Sequence, residues 1–255
     1  MFQHRQNTVL FGAILVVVLV LLVVFFFLPG AQTPRVHLAD PVPGGGAGQD
    51  LTGGPAIGVE ITPENVQAVI ATLQRAEIYS RLVVQTHYWD RGEASSDRTA
   101  EIWHTPEVLR IRWENGENMI ITPEAYFLWF GAGRLITRPI TPGLGENLDR
   151  VLDQFQGIPS YETVLELDPE QIIRAGYTQR TIDGESRYAI YVAVETAVLG
   201  YLSYYYICLT TGLLIETVTF DGDAPVYRLV TIQLTLEPPG PDTFLLPDGT
   251  DPLNP

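Results

Sequence analysis

The alternation of apolar and polar positions divides the chain into unlike regions. Residues 9–28, "VLFGAILVVVLVLLVVFFFL", are apolar on every side, with no charged or strongly polar residue. At ~1.5 Å rise per residue, about twenty such residues span the ~30 Å hydrocarbon core of a bilayer. A secretory core segment is shorter, ~7–15 residues, and leads into a small-residue cleavage site. Here the nearest candidate is "LPGAQ", where Pro29 spoils the site, and no cysteine follows for lipoprotein processing. The run is therefore expected to be an uncleaved transmembrane anchor, with a cleaved signal as the alternative. Residues 1–8 then form a short cytoplasmic head, and the bulk of a single-pass cell-membrane protein lies outside the cytoplasm. Charges on the two flanks give only a faint bias, and the size asymmetry carries the orientation.

Residues 29–60 change character. Gly and Pro are frequent, aromatic residues are almost absent and no period is kept. Such a segment buries too little apolar surface to fold and is expected to be a flexible linker. As a coil its root-mean-square span is ~30 Å, from ~5–6 Å × √n, so the folded part is tethered close to the membrane.

From residue 61 the pattern becomes that of a folded domain, expected over 61–247, with a disordered tail at 248–255. "ITPENVQAVIATLQRAE" places Val66, Val69, Ile70 and Leu73 on one helical stripe, with Thr62 as cap and Pro63 in the first turn. A run of strands follows: "RLVVQTHYW", then after the polar turn "DRGEASSDR" come "TAEIWH", "EVLRIRW", "ENMIIT", "AYFLWF" and "GRLITR". In "LRIRW" the residues Leu109, Ile111 and Trp113 face one way, and Arg110 and Arg112 the other. The period then switches. "GENLDRVLDQFQG" places Leu148, Val151, Leu152 and Phe155 on one helical stripe and ends at Gly157. "SYETVLEL" and "DPEQIIRAG" read as two more short helices, the second capped by Asp168 and closed at Gly176. A second strand run carries a tight turn at Asp183-Gly184 and ends in "VYRLVTIQLTLE". There Val230, Ile232, Leu234 and Leu236 alternate with Leu229, Thr231, Gln233 and Thr235. Consecutive hairpins with a few amphipathic helices predict an α+β fold, an antiparallel sheet curling toward a part-barrel with helices over its apolar face.

Composition narrows the function. The net charge is −15 and every basic residue is arginine, which excludes lysine Schiff-base and P-loop chemistry and makes nucleic acid an unsuitable partner. The single cysteine, Cys208, forms no internal disulfide and sits in an apolar strand run, where a buried inert thiol is expected. The histidines at positions 4, 37, 87 and 104 keep no metal spacing, although His87 and His104 lie on successive strands that can pair. No metal site, cofactor or catalytic signature is expected, and the chain reads as non-enzymatic. The aromatic cluster of Trp103, Trp113, Trp129, Tyr126, Phe127, Phe130 and Tyr204 to Tyr206 reads first as core and sheet packing. Its functional reading is the lining of an apolar ligand site or a protein-docking face. Tyr205 must point away from Tyr204 and Tyr206.

The order of parts resembles the LolA/RseB-like superfamily of exported bacterial domains. The likeness runs from "ENVQAVIATLQRA" and "YSRLVVQTHYW" through "EVLRIRW" and "AYFLWF" to "YYYICLTTGLLIETVTFDGDAPVYRLVTIQLTL" and "DTFLLPDG". In the last segment Phe244, Leu246 and Pro247 stand where that family closes its sheet. The resemblance implies a strongly curved, open half-barrel with helices against its concave side. It also implies a lipid or a lipoprotein acyl chain as ligand, or alternatively a protein-interaction or stress-sensing role in the envelope without a lipid. The residues expected to line the hydrophobic concavity are Leu109, Ile111, Trp113, Trp129, Val230, Ile232 and Leu234. The partners expected are thus the bilayer, through residues 9–28, and an acyl chain or envelope protein.

Overall fold

The computed structural model describes residues 59–143, 145–196 and 200–253. The expected head at 1–8, the anchor at 9–28 and almost all of the expected linker lie outside the described residues. Among the described residues no helix is long and apolar enough to cross a membrane.

Eleven strands form one antiparallel sheet, in the order β6-β5-β4-β3-β2-β1-β11-β10-β9-β8-β7. The first meander comprises β1 (Tyr79–Trp89), β2 (Ala94–His104), β3 (Leu109–Trp113), β4 (Glu117–Ile121), β5 (Ala125–Phe130) and β6 (Ile136–Pro139). The second comprises β7 (Ile172–Ile182), β8 (Glu185–Thr196), β9 (Tyr201–Cys208), β10 (Leu214–Asp221) and β11 (Ala224–Thr235). Every neighbour is sequential except one: β1 pairs with β11 and so joins the two meanders. Strands β6 and β7 remain at the two edges, so the sheet is curved but unclosed, as the half-barrel expectation requires. Helix α1 (Val66–Thr72) precedes the first meander, while α2 (Leu148–Gln156) and α3 (Tyr161–Leu165) lie between the two.

The helices differ in how closely they follow local signals. α2 begins at Asn147, whose side chain accepts from the Arg150 N–H, and ends at Gly157 in the left-handed region (φ 61°). α3 carries a full capping box between Ser160 and Thr163. α1 is shorter than its stripe implied: Asn65, not Thr62, is the N-cap, because residues 62–65 form a turn in which the Thr62 N–H donates to Asn65 Oδ1. The stripe itself holds, with Val66 and Ile70 fully buried.

Two expectations give way. "DPEQIIRAG" is not a helix: Asp168 caps a single turn at Pro169–Gln171, and β7 starts at Ile172. Gly176 therefore lies inside a strand rather than at a helix end. A Cβ there would lie 2.9 Å from the Tyr191 ring, which occupies the space a side chain would need. The polar stretch after Trp89 is also mostly strand: residues 90–93 turn, and the exposed "SSD" belongs to β2.

Curvature in the second meander has a local cause. Opposite Leu82 and Val83, β11 presents Gln233 and Thr231, so Ile232 is an extra residue in a β-bulge. The end of the β7–β8 hairpin reaches this bulge. The Asp183 N–H donates to the Ile232 carbonyl at 3.2 Å, and the Leu234 N–H donates to Asp183 Oδ2 at 3.0 Å. Asp183 and Gly184 both have positive φ, the geometry of the tight hairpin turn expected there. Past Pro247 the chain continues through a hydrogen-bonded turn, in which the Leu246 N–H donates to the Thr250 carbonyl.

Candidate functional site

Residues directly opposite in an antiparallel ladder share a sheet face, so the pairings define the concave wall. Trp113 stands opposite Ala100, Ala100 opposite Val83 and Val83 opposite Thr231. Ile111 follows through Ile102 and Arg81 to Leu234, and Leu109 through His104 to Tyr79. Met119 and Ile121 on β4 extend the same face. α2 lies on this wall, packing Leu148, Val151 and Leu152 into one buried cluster with it.

The rim of that contact is polar. The Trp113 indole N–H donates to Gln156 Oε1 at 3.0 Å, and the Tyr79 hydroxyl donates to Asp149 Oδ1 at 2.6 Å. At the C-terminus of α2 the Gly157 carbonyl accepts from Gln85 Nε2 and from the Tyr227 hydroxyl, both at 3.3 Å. Phe155 leaves the buried stripe but packs on Tyr126, with ring centroids 5.0 Å apart. These bonds satisfy polar groups that α2 would otherwise bury unpaired, which fixes its register on the sheet.

Burial sets the ionisation of the same groups. It pushes the Tyr227 phenol up to about 12, and it raises Tyr79 well above the ordinary range, with the Asp149 carboxylate adding to the effect. Both therefore remain neutral donors. The half-buried Asp153 carboxyl is raised mainly by desolvation, against a hydrogen bond from the Thr163 hydroxyl that lowers it.

Of the seven residues expected to line the concavity, the structure brings four together. Leu109, Ile111, Trp113 and Leu234 all lie in the buried cluster that α2 joins. Trp129 does not: it stands opposite Asn118, which stands opposite Arg112, and so faces the outer side. There it packs with Val108, Ile120 and Leu246 under the C-terminal segment. Val230 pairs with Val84 and Glu216, also on the outer face. Ile232 is the bulged residue and is 40 % exposed. The bulge breaks the alternation, which is why Leu229 and Thr231 share the inner face with Leu234 while Val230 does not. Sequence reasoning missed Tyr79, Gln85 and Tyr227, the polar residues that hold α2. Their only signal was a place on alternating strands beside apolar neighbours.

The expected hollow is filled. Leu109, Ile111 and Trp113 are at most 1 % exposed, closed over by α2 itself. Two clefts stand out among the described residues, and neither lies between α2 and the sheet. One, of about 530 Å³, sits between the ends of the β1–β2 and β10–β11 hairpins. The other, about 150 Å³, lies on the outer face beside Trp103 and falls below the usual ligand range of ~300–1,000 Å³.

The remaining aromatic residues also sort by face. Tyr205 belongs to the cluster with Ile190, Val192 and α1, whereas Tyr204 and Tyr206 turn the other way, as alternation demanded. On Tyr206 lies the Arg180 guanidinium, 3.7 Å above the ring, in a network where Glu216 forms ion pairs with both Arg180 and Arg228. His87 and His104 do not meet: His104 stands opposite Tyr79, at the far end of β1 from His87.

No family model matches the chain, and no curated protein matches it. Among solved structures, it is similar to a DUF1329 family protein from Desulfovibrio piger at 9 % identity and TM-score 0.35, covering 71 % of this chain and 95 % of that one. It is similar to a LolA superfamily protein from Nitrosomonas europaea at 9 % identity and TM-score 0.30, covering 71 % and 96 %. A third is a putative outer membrane lipoprotein-sorting protein domain from Vibrio parahaemolyticus, at 13 % identity and TM-score 0.23, covering 68 % and 91 %. The superfamily that the sequence resembles is thus named among its structural neighbours, and no function passes from them to this chain.

Proposed function

We propose that the domain is a non-enzymatic, extracytoplasmic binding module, tethered to the cell membrane by residues 9–28, that takes a lipid or lipoprotein acyl chain on its concave face when α2 lifts away. The observation that carries this reading is the cover itself: a nine-residue helix packs in one buried cluster with Leu109, Ile111 and Trp113, and its polar bonds to the sheet lie at the rim. The exchange is energetically balanced. Withdrawing Leu148, Val151 and Leu152 costs roughly 1.5–3 kcal/mol each, about 5–9 in all, while burying a long acyl chain returns ~0.8 kcal/mol per methylene. A chain of about twelve methylenes offsets the loss. The closed form is then the resting state, and the ligand takes the place of the helix.

Native mass spectrometry of the full chain in detergent, with a fluorescent fatty-acid displacement assay, tests this. The expected result is co-purifying lipid or saturable probe binding, with uptake faster in a Gln156→Ala variant that loosens the helix. Absence of lipid together with no probe response in either protein overturns it.

A second reading, an envelope protein-interaction module without a lipid, is favoured by the filled concavity and by β6, an edge strand whose four residues are all exposed. Crosslinking in cells separates the two: a stoichiometric protein partner that survives delipidation supports this second reading.

A further inference from the structure

The larger cleft is built by two hairpin ends that press against each other. Asp90, Arg91 and Gly92, which turn β1 into β2, all have positive φ (51°, 56° and 86°). Glycine is required at the third position twice over, because a Cβ on Gly92 would also lie 3.0 Å from Pro225 Cδ. Pro225 is the second residue of the return strand of the β10–β11 hairpin, and a second bulge, between the Thr219–Tyr227 and Phe220–Pro225 pairs, leaves Val226 as the extra residue. The turn is thus seated on its neighbour, and a space of about 530 Å³ remains beside the contact. That volume is within the range of small-molecule sites.

Its walls carry two kinds of chemistry. Tyr88, Trp89, Pro225 and Val226 supply apolar and aromatic surface, and Trp89 is 53 % exposed, unusual for an indole on a fold that buries Trp113 and Trp129. Asp90, Asp221 and Asp223 face the same space against the single guanidinium of Arg91, so the lining is net anionic. These carboxylates do not converge: among the described residues no group of three or more acidic, histidine or cysteine side chains is placed to hold a metal ion. Dispersed negative charge around an aromatic wall suits a large, weakly hydrated cation whose charge is spread over apolar substituents. Its attraction to an indole face survives partial exposure to water.

We propose that this cleft is a binding site for organic cations of the quaternary or alkylated ammonium class, with Trp89 as the aromatic wall and Asp221 and Asp223 as the charge partners. None of its lining residues belongs to the buried cluster that α2 joins, so its test and the fatty-acid test fail independently.

The test uses the full chain in a neutral detergent, titrated at pH 7 with choline chloride and with tetramethylammonium chloride, following tryptophan fluorescence. Sodium chloride at matched ionic strength is the control. A saturable change in the millimolar range is expected for both cations and not for sodium. The Asp221→Asn/Asp223→Asn double variant weakens binding by tenfold or more, and Trp89→Leu abolishes the signal. Calorimetric titration of the same proteins separates lost binding from a lost reporter. Since these side chains are exposed, thermal unfolding of the variants is expected to match the parent. Equal responses to choline and sodium, or unchanged affinity in the double aspartate variant, overturn the proposal.

Discussion

The indole N–H of Trp113, at the end of β3, donates to the side-chain oxygen of Gln156 in the last turn of the covering helix. Trp113 is 1 % exposed, and this amide is the partner that its indole N–H finds. Leaving a buried donor unpaired costs about 1–3 kcal/mol. Gln156→Ala is therefore expected to lower stability by that amount, a fall of roughly 2–12 °C in Tm for a domain of this size. Hydrogen exchange adds a sharper readout. Amides of α2 should exchange faster in the variant, while those of β8 and β9 remain protected. Uniform loss of protection across the sheet would show that α2 is an inseparable part of the core and not a cover.

Asp183 ties the end of the β7–β8 hairpin to the bulge at Ile232 through one donated and one accepted bond. Its carboxylate accepts from the Leu234 N–H, and its own positive φ is one that aspartate tolerates better than alanine. Asp183→Ala loses both advantages and is expected to cost about 1–3 kcal/mol in urea unfolding. Asp183→Asn keeps an acceptor and the turn preference, so it should cost less than half as much. Equal costs for the two variants would remove the carboxylate bond from the explanation.

The bulge also marks where sequence reasoning ran out. The stripe of α2 and the terminating Gly157 are local, so that helix was legible within a residue or two. The tight turn at Asp183-Gly184 and the alternation of Leu109, Ile111 and Trp113 were legible for the same reason. Trp129 was placed on the wrong side because "AYFLWF" is apolar at every position, and such a strand carries no information about which face is inner. Val230 and Ile232 were misassigned because the step in register depends on Leu82 and Val83, partners about 150 residues earlier. The pairing of β1 with β11, which turns two meanders into one sheet, is likewise a long-range choice with no local signal. The helix "DPEQIIRAG" failed because Ile172 and Ile173 suit a strand as well as a helix, and Tyr191 settles Gly176 from across the ladder.

Asp153 makes the cover sensitive to pH. Its carboxyl is raised by burial, so the folded state holds a proton to higher pH than the unfolded chain, whose aspartates titrate near pH 4. In the window between that value and the raised one the folded state binds more protons, and stability from this group falls as pH rises. Above the window the ionised carboxylate is a standing penalty. Asp153→Asn keeps an acceptor for the Thr163 hydroxyl and removes the charge. The variant is expected to be more stable than the parent at pH 7, with the difference shrinking toward zero by about pH 4. Paired thermal melts across that range measure it; a constant difference at all pH values would show that the carboxyl does not titrate as its burial implies.

Gly176 offers a test of packing that is independent of charge. Its φ lies in no special region, so alanine is allowed by the backbone, and the obstacle is the Tyr191 ring 2.9 Å from the added carbon. Gly176→Ala is expected to destabilise by about 1–3 kcal/mol through overpacking. Tyr191→Val alone opens space and costs a similar amount by cavity formation. If the clash is the cause, the two do not add: in the double variant the alanine methyl enters the space left by the ring, and the total falls below the sum by about 1 kcal/mol or more. Additive costs would place the defect in the strand backbone, where β7 forms the sheet edge and pairs with β8 alone among the described residues. The cycle thus decides whether this edge is held by its shape against β8 or by the ladder alone.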